Sequence, residues 1–200
     1  MAFLPPPAVF YNPSVHLLIP QPFAVPTLVL LLAIAVLAAY FDIRYRRIPN
    51  ALSLAGVVAG MCMNIFLDGW AGAARAAAGL ALAFAIYLLL YLGHAMGAGD
   101  VKLMAALGAI AGPADWLRIT GLTWFAGAVF ALALVAWRRR LLTTLWNVAF
   151  IAREWLSRRA PYLTREELDV KSEKALRLPH GVSIAVGVVA AILLSLLPRS

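Results

Sequence analysis

The sequence predicts an all-α integral membrane protein, a bundle of about six transmembrane helices. Of its 200 residues, 64% are hydrophobic and only 13% are charged, whereas a soluble domain has about 25% charged residues. The apolar residues form long, nearly uncharged runs, as expected where charge would have to enter hydrocarbon at high cost. The net charge of +8 is concentrated at the ends of these runs, which indicates membrane topology and no nucleic-acid partner.

Six apolar segments follow one another along the chain. Five have the length of a transmembrane helix, which needs about 20 residues. The fourth is short because Gly112-Pro113-Ala114-Asp115 interrupts it. The predicted segments are residues 23–41, 51–67, 74–93, 101–112, 117–137 and 180–197.

The placement of Lys and Arg predicts the orientation, since cytoplasmic loops are enriched in these residues. We place the Pro-rich start of the chain outside. Of the 17 Lys and Arg residues, only three then lie outside, namely Arg75, Arg118 and Arg199. The bias therefore places both termini outside the cytoplasm and the long basic loop inside it.

Four parts of the chain are expected on this basis: an extracytoplasmic tail at 1–22, five helices within 23–137, a cytoplasmic loop at 138–179, and a last helix at 180–200. Inside the loop, residues 141–156 are apolar and contain two tryptophans. This pattern is typical of a helix that lies in the membrane interface. The remainder of the loop is charged, and we expect it to be solvated.

Two of the nine acidic residues differ from the rest in position. Asp42 ends the first apolar segment and Asp100 opens the fourth. Because two spans separate them, both must face the same side of the membrane, and the charge bias makes that side the cytoplasm. By contrast, Asp68 and Asp115 fall in short outer turns, where Asp is common, and the other five lie in the cytoplasmic loop.

A pair of close carboxylates can hydrolyse an amide. The two groups share one proton, because both cannot ionise comfortably at short range. The ionised member then takes a proton from water while the neutral member donates to the carbonyl oxygen. Gly97 and Gly99 lack side chains, so a substrate backbone could come close to Asp100.

Structural roles for the same two residues remain open. Asp100 alone would be an ordinary helix N-cap, since Asp is favoured there. Asp42 alone would be explained by an ion pair with one of the arginines that follow it. The prediction that both residues share one membrane face favours the catalytic interpretation over these separate roles.

Neighbouring residues have candidate supporting roles. Pro49 suits the first turn of the second helix. Asn50 would cap that helix or form a hydrogen bond near the acidic pair. Lys102 would influence Asp100 or extend to lipid headgroups, and His94 would contact the substrate or be incidental.

At these residues the chain resembles the type IV prepilin peptidases. Residues 42–50, Asp-Ile-Arg-Tyr-Arg-Arg-Ile-Pro-Asn, resemble the family's first aspartate motif. Residues 97–102, Gly-Ala-Gly-Asp-Val-Lys, resemble its GxGD motif, and residues 178–182, Leu-Pro-His-Gly-Val, resemble the start of its last helix. The resemblance covers about residues 25–137 and 178–197.

The resemblance implies an aspartic endopeptidase that removes the short leader from prepilins, with Asp42 and Asp100 as the catalytic pair. It implies the short branch that serves Flp/Tad pili, because Cys62 is the only cysteine and the larger, methylating members carry a cysteine-rich zinc segment. We therefore expect no metal, no cofactor and no methyltransferase activity. The expected location is the bacterial inner membrane, with the prepilin and lipid as partners and other pilus-assembly proteins as further candidates.

Two rival functions belong to other classes. A small transporter using the two aspartates as proton or cation sites would carry further acidic residues at mid-membrane. A structural subunit of a pilus machine would give no reason for two aspartates to share a face. Cleavage of a prepilin-like peptide at one bond would separate the peptidase from both.

Overall fold

The computed structural model describes residues 23–139, 146 and 180–197. These residues form helices and no strands, which confirms the all-α membrane bundle. The tail at 1–22 and, apart from Trp146, the predicted interfacial helix and charged loop lie outside the described residues. The helices are α1 (Val25–Tyr45), α2 (Asn50–Leu92), α3 (Ala98–Ala111), α4 (Pro113–Trp137) and α5 (His180–Leu196).

Helix α2 reverses its direction at Gly69. This residue has φ 57° and ψ −135°, a conformation that glycine adopts without steric cost. Gly60 and Gly79 lie on either side of it, yet both touch the last turns of α3: a Cβ on Gly60 would be 2.9 Å from the Ile110 nitrogen, and one on Gly79 would overlap the Gly108 carbonyl. A continuous helix would hold these two glycines about 28 Å apart. We therefore describe α2 as two antiparallel arms, 50–68 and 70–92.

Three helices, α1, α2 and α4, are long and apolar enough to cross a membrane. Helix α5 is apolar but shorter. Because α2 consists of two arms, the five helices correspond in order to the six predicted apolar segments. The protein is therefore a membrane helix bundle.

Helix α3 is the centre of the bundle. Every residue from Val101 to Ala111 is buried except Lys102, as expected for a helix that is apolar on all sides. At 14 residues it is about 21 Å long, shorter than the hydrocarbon core of about 30 Å. Its neighbours, rather than lipid, surround it, so its first turn can lie below the membrane surface.

The carbonyl end of α3 is closed by a side chain from α2. The amide of Asn64 donates to the carbonyls of Ala109 and Ile110, both at 3.1 Å, and to Gly60 at 2.9 Å. The last carbonyls of a helix lack partners within the helix, and lipid supplies none. Arg75 donates in turn to the Asn64 oxygen at 2.8 Å, so this end of the bundle is a connected polar network.

Helix boundaries differ from the predicted ones by up to four residues, and several of these differences move acidic residues into helices. Helix α1 continues to Tyr45, so Asp42 belongs to its last turn. Helix α4 begins at Pro113, four residues before the predicted start, because proline is well suited to a first helical turn. Asp115 therefore lies in a helix rather than in a turn.

Cys62 stands inside an apolar run of the sequence, which predicts a small buried residue, and this prediction is wrong. It is exposed on the outer surface of the first arm of α2. In a membrane bundle, apolar residues face lipid as well as the core, so an apolar context does not imply burial.

Candidate active site

The two motif segments meet at one end of the bundle. Asp42 lies in the last turn of α1, and Asp100 lies in the first turn of α3. Between α1 and α2, Ile48 is buried and packs on Gly99, where an added Cβ would be 3.5 Å from the Ile48 Cβ. The Ile-Pro-Asn segment therefore contacts the Gly-Ala-Gly-Asp segment directly.

Asp100 is held by the backbone that precedes it. Its Oδ2 accepts a hydrogen bond from the Gly97 N–H at 3.3 Å, and this interaction closes the first turn of α3. The carboxylate also interacts electrostatically with Asp42 and with His180 at the start of α5. The two predicted acids are therefore within electrostatic range of each other.

Asp42 is held by the start of α5. Its Oδ2 accepts a hydrogen bond from the Gly181 N–H at 2.8 Å, one of the N–H groups that a helix start leaves unpaired. A Cβ on Gly181 would lie 2.8 Å from the Asp42 Cβ and 3.2 Å from the Ala38 carbonyl. Only glycine therefore fits this contact without displacing α1 from α5.

Neither carboxylate forms an ion pair with Lys or Arg within the described part of the chain. The guanidinium of Arg44 instead lies 5.5 Å from the centre of the Tyr45 ring. The structure therefore does not contain the ion pair between Asp42 and Arg44 that was the alternative role for Asp42. Asp100 is not the N-cap of α3 either: Gly97 holds that position, and Asp100 lies three residues later, where its carboxylate accepts from the Gly97 N–H.

A cavity of about 320 Å³ opens beside Asp100. It lies between α2, α3, α4 and α5, and most of its wall is apolar. Tyr87, Met96 and Trp124 form much of the wall, and His180 lies on it together with Asp100. This volume falls in the range of small ligand pockets, about 300–1,000 Å³.

The supporting residues divide between two places. Gly97 and Gly99 lie beside Asp100, as expected from their spacing. Pro49 is the N-cap residue of α2 instead of lying in its first turn, and Asn50 is the first helical residue. Of the two roles considered for Asn50, the helix cap is therefore wrong, and its oxygen accepts from the Lys102 ammonium at 3.0 Å.

Three residues around the carboxylates were not predicted as site residues. Gly181 binds Asp42, His180 lies near Asp100, and the Tyr87 ring is fully buried on the cavity wall. The His-Gly pair at the start of the last apolar segment was visible in the sequence. Its spatial role was not, since the bond between Gly181 and Asp42 joins residues 139 positions apart.

These features define a membrane helix bundle with two carboxylates at one end and an apolar cavity beside one of them. Residues 29–132, just over half of the chain, match the type IV leader peptidase family. The chain belongs to the type IV leader peptidase family and is a membrane peptidase. No curated protein and no solved structure matches it.

Proposed function

We propose that this protein is an aspartic endopeptidase that removes the leader from prepilins of the Flp/Tad type at the cytoplasmic face of the inner membrane. The observation that carries the proposal is the contact between the two aspartate motifs through Ile48 and Gly99. That contact holds Asp42 and Asp100 at the same end of the bundle, within electrostatic range of each other.

The two carboxylates would hold one proton between them. The ionised member removes a proton from a water molecule, whose oxygen bonds to the carbonyl carbon of the scissile peptide. The protonated member donates to the carbonyl oxygen, and the C–N bond then breaks as the amine leaves with a proton. Backbone N–H groups from Gly97 and Gly181 orient the two acids for these transfers.

The cavity beside Asp100 supports a substrate that is apolar next to the cleaved bond. Met96, Trp124 and Ile184 lie on its wall. An apolar substrate side chain that enters the cavity is removed from water, which favours binding. A prepilin, whose hydrophobic helix begins after the cleavage site, has such residues. Within the described residues, the cavity is formed by four helices.

The remaining residues have supporting roles in this proposal. The Lys102–Asn50 hydrogen bond ties the start of α2 to the start of α3, and Pro49 directs the chain from α1 into α2. The arginines that follow Asp42 support a cytoplasmic orientation of this end. We propose no methyl transfer, no metal and no cofactor in the reaction, and other pilus-assembly proteins as further partners.

The described acidic residues argue against a transporter. Asp42 and Asp100 lie at one end of the bundle, while Asp68 and Asp115 lie towards the other. Among the described residues, none is placed between these ends, where a proton or cation path would need one.

Incubation of the purified protein with a synthetic Flp-type prepilin peptide tests the proposal. Mass spectrometry should find one cleavage, after a glycine and before the hydrophobic segment, with an unmethylated new N-terminus. The same protein carrying Asp42→Asn and Asp100→Asn is the control for a contaminating protease. A peptide that stays intact with the native protein, or is cut equally by the double variant, would contradict the proposal.

A further inference from the structure

A second concave surface lies on the opposite side of α3 from the Asp100 cavity. It runs between the two arms of α2 and α3, has a volume of about 420 Å³, and is called here the α2–α3 groove. Its apolar walls come from both arms of α2. They include Leu54, Val57, Leu80 and Phe84.

The groove faces outward from the bundle. Leu54 is 65% exposed and Phe84 is 45% exposed on the protein surface. In a bilayer such a surface is in contact with acyl chains, not with water. The groove is therefore a place where a lipid chain can lie against the protein.

Polar groups gather at the end of the groove near the candidate active site. The Lys102 ammonium donates to the Asn50 oxygen at 3.0 Å and is exposed, and the Ser53 side chain lies on the wall nearby. An ammonium has three N–H donors, so two remain after the bond to Asn50. Within the described residues, no carboxylate forms an ion pair with Lys102.

Lys102 does not face the candidate active site. Residues two positions apart lie on different faces of a helix, so Lys102 and Asp100 point to opposite sides of α3. The two cavities also share none of their wall residues. The groove is thus a separate surface with its own positive charge.

We propose that the α2–α3 groove binds an anionic phospholipid. Its phosphate accepts hydrogen bonds from the Lys102 ammonium, and one acyl chain lies between the two arms of α2. Basic pockets between transmembrane helices commonly bind anionic headgroups in this way. Charge selects the lipid, since any phospholipid supplies an acyl chain but only an anionic one carries a net negative charge to Lys102. This proposal is independent of the peptidase activity.

Native mass spectrometry of the full-length protein in detergent tests the proposal. The protein is mixed with equal amounts of phosphatidylglycerol and phosphatidylethanolamine of identical acyl chains. We expect phosphatidylglycerol to be retained preferentially, by about fivefold, which is the effect of one lysine charge near an anionic lipid. Lys102→Gln should remove the preference, and Lys102→Arg should keep it.

Two further variants separate the groove from general surface charge. Arg47→Gln removes one positive charge from the same end of the bundle outside the groove, and it should leave the preference unchanged. Val57→Trp fills the groove without a change in charge, and it should reduce retention of both lipids. Inorganic phosphate should not compete, because it has no acyl chain.

Three results would overturn the proposal. The first is equal retention of the two lipids by the native protein. This result would indicate that the groove binds a protein partner or another segment of this chain instead of an anionic lipid. The second is an unchanged preference in Lys102→Gln, and the third is an equal loss in Arg47→Gln. None of these results depends on cleavage of a prepilin, so they are distinguishable from a failure of the proposed function.

Discussion

The two ends of the bundle hold aspartates in opposite ways. At the end near Gly69, each aspartate has an arginine partner: Asp68 pairs with Arg75, and Asp115 pairs with Arg118 at 3.3 Å. At the other end, Asp42 and Asp100 accept hydrogen bonds from backbone N–H groups. A carboxylate fixed by an arginine is a structural anion, whereas one held by the backbone and close to a second carboxylate is available for proton transfer.

The glycines follow the same division. Gly181 brings α5 against Asp42, and a Cβ there would be 3.0 Å from the carboxylate oxygen. Gly72, at the other end, lies so close to the Asn64 carbonyl that a Cβ would overlap it. Close helix contacts therefore serve the candidate active site at one end and the polar network that closes α3 at the other.

The largest effect is expected for the two unpaired acids. Asp42→Asn and Asp100→Asn should each lower the rate of prepilin cleavage by at least about 100-fold, because an amide cannot take up or donate the required proton. The measurement is the initial cleavage rate of a Flp-type peptide at equal concentrations of folded protein. Membrane insertion should be unchanged. Near-native cleavage by either variant would remove the aspartic mechanism.

The next effect compares one glycine from each end. Gly181→Ala should lower kcat/KM by up to about 100-fold, since a displacement of about 1 Å at a reacting group has this cost. Gly72→Ala should instead lower the midpoint temperature of thermal unfolding, because the added Cβ overlaps the Asn64 carbonyl. The cleavage activity per folded molecule should be retained.

Gly121→Ala is the matched control for both glycine variants, since nothing lies within 4 Å of a Cβ at this position in α4. It should keep both activity and thermal midpoint. If Gly181→Ala lost stability and kept activity per folded molecule, the contact between α5 and Asp42 would be structural only.

A smaller effect is expected for the arginine-paired acids. Asp68→Asn and Asp115→Asn should change the cleavage rate by less than about twofold, the range of substitutions away from special features. Asp115 is buried, so its removal should lower the thermal midpoint more than the removal of the half-exposed Asp68. Loss of cleavage in a folded Asp68→Asn protein would show that the two ends are not functionally distinct.

The shared face of Asp42 and Asp100 was predictable because parity depends only on the number of spans between them. Helix order and the short fourth segment were predictable from apolar runs and from Gly112-Pro113. The bond between Gly181 and Asp42 was not, since it depends on how α5 packs against α1. The exposure of Cys62 was not predicted, because lipid-facing and core positions are both apolar in a membrane protein. The hydrogen bond between Lys102 and Asn50 was not predicted either, because a charged side chain near a helix start has several possible partners.

The smallest effect is expected at Cys62, which lies on neither end. It is twelve residues into the first arm of α2, about 18 Å along the helix from Asn50, and therefore cannot reach either carboxylate. Cys62→Ser should change the cleavage rate by less than about twofold, and a metal chelator should leave the rate unchanged because the two acids and water complete the proposed reaction. Alkylation of the native protein, with the serine variant as control, separates a reactive thiol from a general effect of the reagent. Inhibition of the native protein alone, or inhibition by the chelator with recovery after zinc is added, would contradict a mechanism confined to Asp42 and Asp100.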